Sequence, residues 1–416
     1  MNTRALALDL LEKWEKTDQF LAQILDSCCK QKKLNEKDRA FLQELVYGVL
    51  RWRPWLDSVI KKSVKDPQKK MSSLIKNVLR LGIYQMVFLE KVPIYASINE
   101  TLNLLRCRVK RGFVNAVLRN YDRSVGEYKL PSSEEGIPAK IKDYLSRECP
   151  KVDLTPVWES IQKKPLIYAR WNPLTGTRDV LEAIWQQENR KYQCVNESQG
   201  IYHLEKIETN VETWPSFQKG LFTIQDVYAS SVVSHLDVKE HHKVLDACAA
   251  PGGKSFQIAT YLKNADQLVA LDVSKKRLDN LKKAALRLKV DNIKLVEGDA
   301  KKHVFLEKFD RILLDVPCSN LGVLNRRLDV RFRFSQKQQN SLIGIQREIL
   351  ENMSSFVKQD GIMVYSTCTL SRKENQDQVR AFLKKNPNFF CSYQALNIPG
   401  HEKGDGGYVA ILHRSS

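Results

Sequence analysis

The stretch Val244-Leu245-Asp246-Ala247-Cys248-Ala249-Ala250-Pro251-Gly252-Gly253-Lys254-Ser255 constrains this chain more than any other. It reads as a buried strand that runs into a glycine turn and opens a helix, with Phe256, Ile258, Ala259 and Leu262 as its apolar positions. Gly252 and Gly253 lack a β-carbon, so a ligand can approach the main chain closely. The free amides of the helix's first turn face the same place. A strand-turn-helix unit of this kind grips a nucleotide-like cofactor. The same residues also make a plain tight turn, and the chain that follows has to decide between the two.

From about residue 223 onward, apolar strands alternate with amphipathic helices. Leu268–Asp272 is a strand ending in a carboxylate, 26 residues after Asp246, close to where a nucleotide fold puts its ribose-binding acid. Ile293-Lys294-Leu295-Val296-Glu297-Gly298-Asp299 is a third strand, and Arg311-Ile312-Leu313-Leu314-Asp315-Val316-Pro317-Cys318 a fourth. The segment 361–366 is a fifth, leading into Thr367-Cys368-Thr369, and 407–412 is the last. Ser371 with Glu374 has the spacing of a capping box for the next helix. The alternation predicts a parallel sheet with helices on both faces and ligands at the carboxyl ends of the strands. Asp246, Asp272, Asp299, Asp315, Cys318 and Cys368 all fall at or near those ends. One such Asp is ordinarily a helix cap; this many along one edge points to a site.

A dinucleotide would want G-x-G-x-x-G, whereas the loop here is A-A-P-G-G-K. S-adenosylmethionine (SAM) fits better, because its adenosine needs acids and its methionine tail needs backbone partners, with no pyrophosphate to cradle. The two thiols extend the argument. Free cysteines often serve as inert small hydrophobes. Pyrimidine methylation, however, needs a thiolate: carbon 5 of cytosine becomes nucleophilic only after a thiolate adds at carbon 6. An acid at ring nitrogen 3 eases that addition, and a base must later remove the carbon-5 proton. Asp315, Cys318 and Cys368 can fill these roles.

The first third of the chain reads as all-helical. Ala7, Leu10, Leu11 and Trp14 share a helical face, as do Phe41, Leu45, Gly48, Trp52 and Leu56. Asn35 is placed as an N-cap, and Ser97-Ile98-Asn99-Glu100 as a capping box ahead of Leu102 and Leu105. Phe113, Val117 and Leu118 mark a last helix. Residues 1–128 hold about 24 Lys and Arg against about 14 Asp and Glu, densest at Arg106, Arg108, Lys110 and Arg111. The whole chain carries +19. Such an excess serves either a solvated surface or a polyanionic partner, and nucleic acid is the better explanation. Pro131-Ser132-Ser133, Gly136 and Pro138 are linker signals, and Ile141, Tyr144 and Leu145 make one short helix. Residues 165–222 mix a strand at 166–171 with a helix at 180–185, a small α+β module. At 416 residues, two or three domains are expected. Nine cysteines without a CxxC pair, and seven histidines that do not cluster with them, argue against a metal site and for reduced thiols in the cytoplasm. No apolar run is long enough to span a bilayer, and the N-terminus lacks the pattern of a signal peptide.

Two resemblances draw these readings together. The helices with Asp38-Arg39-Ala40-Phe41 and Gly112-Phe113-Val114-Asn115-Ala116-Val117-Leu118-Arg119 resemble the NusB-type RNA-binding domain. Asp-Ala-Cys-Ala-Ala-Pro-Gly-Gly-Lys, Asp-Val-Pro-Cys-Ser and Ser-Thr-Cys-Thr-Leu resemble the signatures of RNA cytosine-5 methyltransferases of the Nop2/Sun family. With both, the whole chain is similar to bacterial 16S ribosomal RNA methyltransferases of the RsmB/Sun/Fmu type. The resemblance implies a multidomain chain: a NusB-like all-α RNA-binding domain (1–128), a linker and small α+β RNA-binding subdomain (129–222), and a C-terminal α/β Rossmann-like SAM-dependent methyltransferase (223–416). It also implies Cys368 as nucleophile and Cys318 as assistant in release. Cys248, Ala249, Ala250, Pro251, Gly252, Gly253, Lys254, Asp272, Asp299 and Asp315 would line the SAM pocket. A monomer acting on 16S ribosomal RNA, without metal or membrane, is expected. Asp329-Val330-Arg331-Phe332 departs from the family's Asp-Ile-Lys/Arg-Trp-like segment, which puts local substrate contacts in question. A transfer RNA cytosine-5 methyltransferase and a non-catalytic NusB-like RNA-binding factor are the competing readings. The NusB-like domain weighs against the first, the thiols and strand-end acids against the second.

Overall fold

A helix buried on nearly every side organises the N-terminal unit. In the computed structural model, which describes residues 2–68, 70–124, 130–207, 209–264 and 267–415, the helix Ser73–Phe88 is buried from Ile75 to Val87 with the sole exception of Lys76. A helix buried all round must lie inside a bundle, and its polar stripe of Ser73, Asn77 and Arg80 is satisfied there by Glu15. The helices Thr3–Lys16, Glu36–Arg51, Arg53–Ser63, Ile94–Leu102 and Arg108–Ser124 all pack on it. Asn35 caps Glu36–Arg51 as expected, its side chain accepting from the Asp38 amide. Two expectations need correction. Phe41 and Leu56 do not share one helix, because the chain breaks at Trp52; Pro54, in the first turn of the next helix, has no N–H to continue the ladder. Ser97 does not start a helix either: Ile94–Leu102 begins after Pro93, and Ser97 is buried within it.

The chain divides into two units, Met1–Tyr144 with Arg331–Arg333, and Leu145–Val330 with Phe334–Ser416. The boundary expected at residues 128 and 129 lies outside the described residues. Arg331–Arg333 therefore group with the helical unit. Phe332 meets Trp14 edge-on at 5.8 Å, and Arg331 is 1% exposed.

The second unit holds two sheets. In the smaller, β1 (Ile167–Trp171), β2 (Lys191–Asn196), β3 (Ile201–Glu205) and β4 (Phe222–Ile224) are all antiparallel, in the order β2-β3-β1-β4. The helix Arg178–Gln187 covers it with Trp185, fully buried against Tyr202 and Phe222. This is the expected α+β module. Among the bonds that tie it to the larger sheet's helices, Asn172 Nδ2 donates to Leu288 O (2.8 Å) and Arg287 Nη1 to Phe217 O (2.6 Å).

The larger sheet comprises β5 (Val244–Asp246), β6 (Leu268–Asp272), β7 (Ile293–Glu297), β8 (Phe309–Asp315), β9 (Val357–Thr367), β10 (Phe389–Asn397) and β11 (Gly407–Arg414). Its order is β10-β11-β9-β8-β5-β6-β7. Strands β5 to β9 are parallel, as the strand-helix alternation requires. Side chains alternate between two apolar layers. Val244, Leu268, Ala270 and Val364 enter one; Leu245, Val269, Leu271 and Tyr365 enter the other. The sheet is mixed rather than purely parallel, since β11 runs antiparallel between β9 and β10. This hairpin was not expected. β10 is an edge strand with several exposed positions, so it shows no apolar run.

Candidate active site

Every strand-end residue singled out above lies on the carboxyl edge of the parallel strands, where β5 reverses the order of the sheet between β6 and β8. After β5 the chain turns through a cis Ala250–Pro251 bond to Gly252, whose φ is +108°. A β-carbon at Gly252 would come within 2.8 Å of Phe256 and Leu281, so only glycine closes this turn. The helix Gly253–Ala259 starts immediately.

The acids differ in what they do. Asp246 is 1% exposed; Ser255 Oγ donates to its Oδ2 at 2.6 Å, while Oδ1 is buried with no partner in full hydrogen-bond geometry among the described residues. Burial above all, helped by Asp315, pushes its pKa up to about 7, against the pull of Ser255, Lys254 and the Cys248 amide. Asp272 takes the Ala250 amide on Oδ2 (3.1 Å) and the Ser274 amide on Oδ1 (3.0 Å). Arg277 reaches both Asp272 Oδ2 and the Ala250 carbonyl. Asp272 thus braces the glycine turn with a carboxylate that is 3% exposed. Asp299 accepts the Lys301 amide (3.0 Å) within its own turn. Ala249 and Ala250 bury their side chains in the apolar layer, so they face a ligand through backbone only. Cys248 is half-buried, and burial raises its thiol pKa.

Asp315 ends β8 and pairs with Lys254 (Nζ to Oδ2, 2.7 Å), while Ser366 Oγ donates to its other oxygen at 3.2 Å. Burial alone would lower the Lys254 pKa, but Asp315 beside it raises it on balance, so this ammonium keeps its charge. Three residues past Asp315, Cys318 Sγ lies 3.2 Å from Cys368 Sγ. All nine cysteines are free thiols. The Cys368 amide donates to Cys318 Sγ (3.3 Å), and the Cys368 thiol donates to Asn320 Oδ1 (3.1 Å). Cys318 is buried and Cys368 half-buried, so the second is the more accessible thiol. The hydrogen bond with Cys368, together with burial, pushes the Cys318 pKa well above that of an ordinary thiol.

Close approach of three segments makes this possible. Gly322 N–H donates to Cys368 O, and a β-carbon there would overlap the Gly406 carbonyl. The sequence alone left Asn320, Tyr228 and the role of Glu374 unread. Asn320 has a left-handed φ of +59°, and Tyr228 donates to Thr367 O at 3.4 Å. Nothing in their local pattern marks either. Ser371 and Glu374 were read as a capping box. The structure corrects this: Ser371 makes no cap bond, and Glu374 turns inward.

Comparison with known proteins adds a second line. Residues 233–413 match the model of the family "16S rRNA methyltransferase RsmB/F", and residues 1–123 match the NusB family. The chain is 33% identical to the probable ribosomal RNA small subunit methyltransferase B of Bacillus subtilis, over 93% of this chain and 89% of that protein. It is 30% identical to the ribosomal RNA small subunit methyltransferase B of Escherichia coli O157:H7, over 99% of this chain and 98% of that protein. Among solved structures it shares its fold with PH0851 (TM-score 0.77, 21% identity, 100% of this chain and 99% of that one). It shares it also with NSun6 from Pyrococcus horikoshii with SFG (TM-score 0.60, 22% identity, 67% of this chain and 98% of that one).

Proposed function

Because the chain belongs to the RsmB/F family of 16S ribosomal RNA methyltransferases, we propose that it methylates carbon 5 of a cytosine in 16S ribosomal RNA through a covalent bond between Cys368 and the base. The observation that carries this reading is the pair of thiols 3.2 Å apart at the strand ends, beside the Lys254–Asp315 ion pair. A site that only bound RNA would have no use for them.

The methyl donor is SAM. The residues present fit it: a glycine turn that no side chain can fill, a buried Asp246 oxygen without a full partner, and the partly exposed carboxylates of Asp299 and Asp315. Cys248 through Lys254, with Asp272, Asp299 and Asp315, would hold it. When bound, it supplies a methyl group on a positively charged sulfur. Replacing Asp272 with Ala should weaken SAM binding about ten- to hundredfold, since charge-assisted hydrogen bonds contribute about 1.5–3 kcal/mol. Calorimetry measures this, and unchanged affinity would remove Asp272 from the site.

The chain's own residues then act in turn. Cys368 gives up its thiol proton and the thiolate adds to carbon 6 of the cytosine. The displaced ring electrons are taken up with a proton at ring nitrogen 3, whose N–H donates to Asp315, the carboxylate held by Lys254 and Ser366. Once carbon 5 carries the methyl group, Cys318 takes the carbon-5 proton. The electrons of that bond restore the ring double bond and expel Cys368 as a thiolate. In the resting enzyme the hydrogen bond with Cys368 is the largest of the influences, burial among them, that raise the Cys318 pKa. Turning Cys368 into a thioether removes that influence, so Cys318 ionises more readily at the stage that needs a base.

The target cytosine must be unstacked to reach these groups, so a loop or bulge is preferred over a paired helix. Arg106, Arg108, Lys110 and Arg111 are exposed on the helical unit, at and before the start of Arg108–Ser124. RNA affinity should fall steeply with salt. Changing all four to Ala should flatten the slope of log affinity against log salt by about 3, at about 0.7 per phosphate contact on single strands. Filter binding across a salt series reads this, and an unchanged slope would place the phosphate contacts elsewhere. Bisulfite sequencing of ribosomal and transfer RNA from a deletion strain tests the substrate. Loss of one protected cytosine in 16S RNA is expected, whereas a loss confined to transfer RNA would overturn the assignment.

A further inference from the structure

Glu374 ends the short helix Arg372–Glu374 with no solvent exposure. Burying a carboxylate is costly unless donors satisfy it. Here four do, and none of them is a cation. The Ser319 amide (2.9 Å) and Gln346 Nε2 (2.9 Å) donate to Oε2; Ser319 Oγ (2.5 Å) and Gln339 Nε2 (3.0 Å) donate to Oε1. Gln346 Nε2 also donates to Pro317 O at 3.0 Å. The residues before and after Cys318 are therefore both fastened, directly or through Gln346, to one buried anion.

Cys368 is held by different groups. Asn375 Nδ2 donates to Thr369 O (2.9 Å), and Thr367 Oγ1 donates to Asn375 Oδ1 (2.7 Å). Gly322 N–H donates to Cys368 O at 3.0 Å. None of these bonds involves the Glu374 carboxylate. Ser319 Oγ, in contact with Thr369 Oγ1 at 2.8 Å, bridges the two sets, as do Gln339 Nε2, which also donates to Ser371 Oγ (2.9 Å), and the Cys368 amide and thiol, which donate to Cys318 Sγ and Asn320 Oδ1.

From this difference we propose that Glu374 is a positioning residue for the release step: its carboxylate fastens the Cys318 loop directly, while the residues on either side of Cys368 are held by Asn375. The inference rests on the reading of Cys368 as nucleophile and Cys318 as base. In release, the carbon-5–hydrogen bond breaks and its proton goes to Cys318 Sγ. The electron pair forms the 5,6 double bond, and the bond from carbon 6 to Cys368 Sγ breaks with its pair left on sulfur. A Cys318 loop freed from Glu374 fails at the proton, after addition and methyl transfer have occurred. Glu374→Gln is nearly isosteric, but it turns one acceptor oxygen into a donor that faces two other donors.

The test incubates wild type, Glu374→Gln, Ser319→Ala, Cys318→Ala and Cys368→Ala with SAM and labelled 16S RNA, followed by a denaturing gel. Glu374→Gln should accumulate adduct at least several-fold above wild type. Its kcat should fall about tenfold or more, with KM for SAM little changed. Ser319→Ala, which loses one donor and keeps the amide, should do the same to a smaller extent; it carries the test if Glu374→Gln does not fold. A merely structural role predicts lower melting with adduct and product lost together, and that result overturns the proposal. Adduct in Cys318→Ala but none above wild type in Glu374→Gln or Ser319→Ala also overturns it, leaving the proposed mechanism standing. No adduct in Cys318→Ala itself overturns the mechanism and, with it, the role given to Glu374.

Discussion

Cys368→Ala should yield no methylated RNA and no protein–RNA adduct. The thiol is the group that makes carbon 5 of the base reactive, so its loss blocks the first step rather than slowing a later one. Removal of a covalent nucleophile costs on the order of 10^4-fold or more in turnover. The fold should be little affected. Cys368 is half-buried, and among the described residues its Sγ hydrogen-bonds Asn320 and Cys318 only. Its truncation should cost less than about 1 kcal/mol, as for most changes away from a packed core. Two structural cysteines with no catalytic part would behave otherwise, with mild destabilisation and ordinary turnover.

Cys318→Ala should fail in the opposite way, by accumulating an adduct that survives denaturing gels. Addition and methyl transfer need Cys368, which remains; elimination needs a base 3.2 Å away, which is gone. The same logic sets a pH dependence for the wild type. Cys318 has a raised pKa, and only its deprotonated form can take the carbon-5 proton. Release should therefore quicken as pH rises from neutrality, and adduct at steady state should decline. In Cys318→Ala that dependence should vanish. If the adduct appeared in Cys368→Ala instead, the roles of the two thiols would be exchanged.

Strands β5 and β6, and residues 312–314 of β8, were legible because they are buried throughout. Each reads as an apolar run, and the acid where it stops is visible in the sequence, as at Asp246, Asp272 and Asp315. The glycine turn was legible for a related reason: a φ of +108° against Phe256 and Leu281 leaves no other residue type. Glu374 shows where such reading stops. Ser-x-x-Glu spacing is the same whether the glutamate caps a helix or turns inward to gather four donors. Only the positions of Ser319, Gln339 and Gln346, 28 to 55 residues away, distinguish the two.

Other elements were hidden by the lack of a period. Ser73–Phe88 is buried on nearly every side, so its apolar positions are not confined to one face, and β10 has too many exposed positions to make a run. The break at Trp52 lay in one residue, Pro54, within an otherwise continuous helical pattern. The separation of the two thiols could not be read at all. It depends on Gly322 packing against Gly406 and Cys368, segments that meet only in the folded chain.

Nucleoside analysis of 16S ribosomal RNA treated with this protein and SAM carrying a trideuterated methyl group tests the central claim most directly. RNA from a strain lacking the enzyme is digested, and each nucleoside is weighed by mass spectrometry. The account predicts deuterium in 5-methylcytidine alone, with three deuterons retained and the carbon-5 hydrogen of the base lost. Label on a ring nitrogen, on an exocyclic amine or on a ribose hydroxyl would contradict it, because none of those positions needs a thiol at carbon 6.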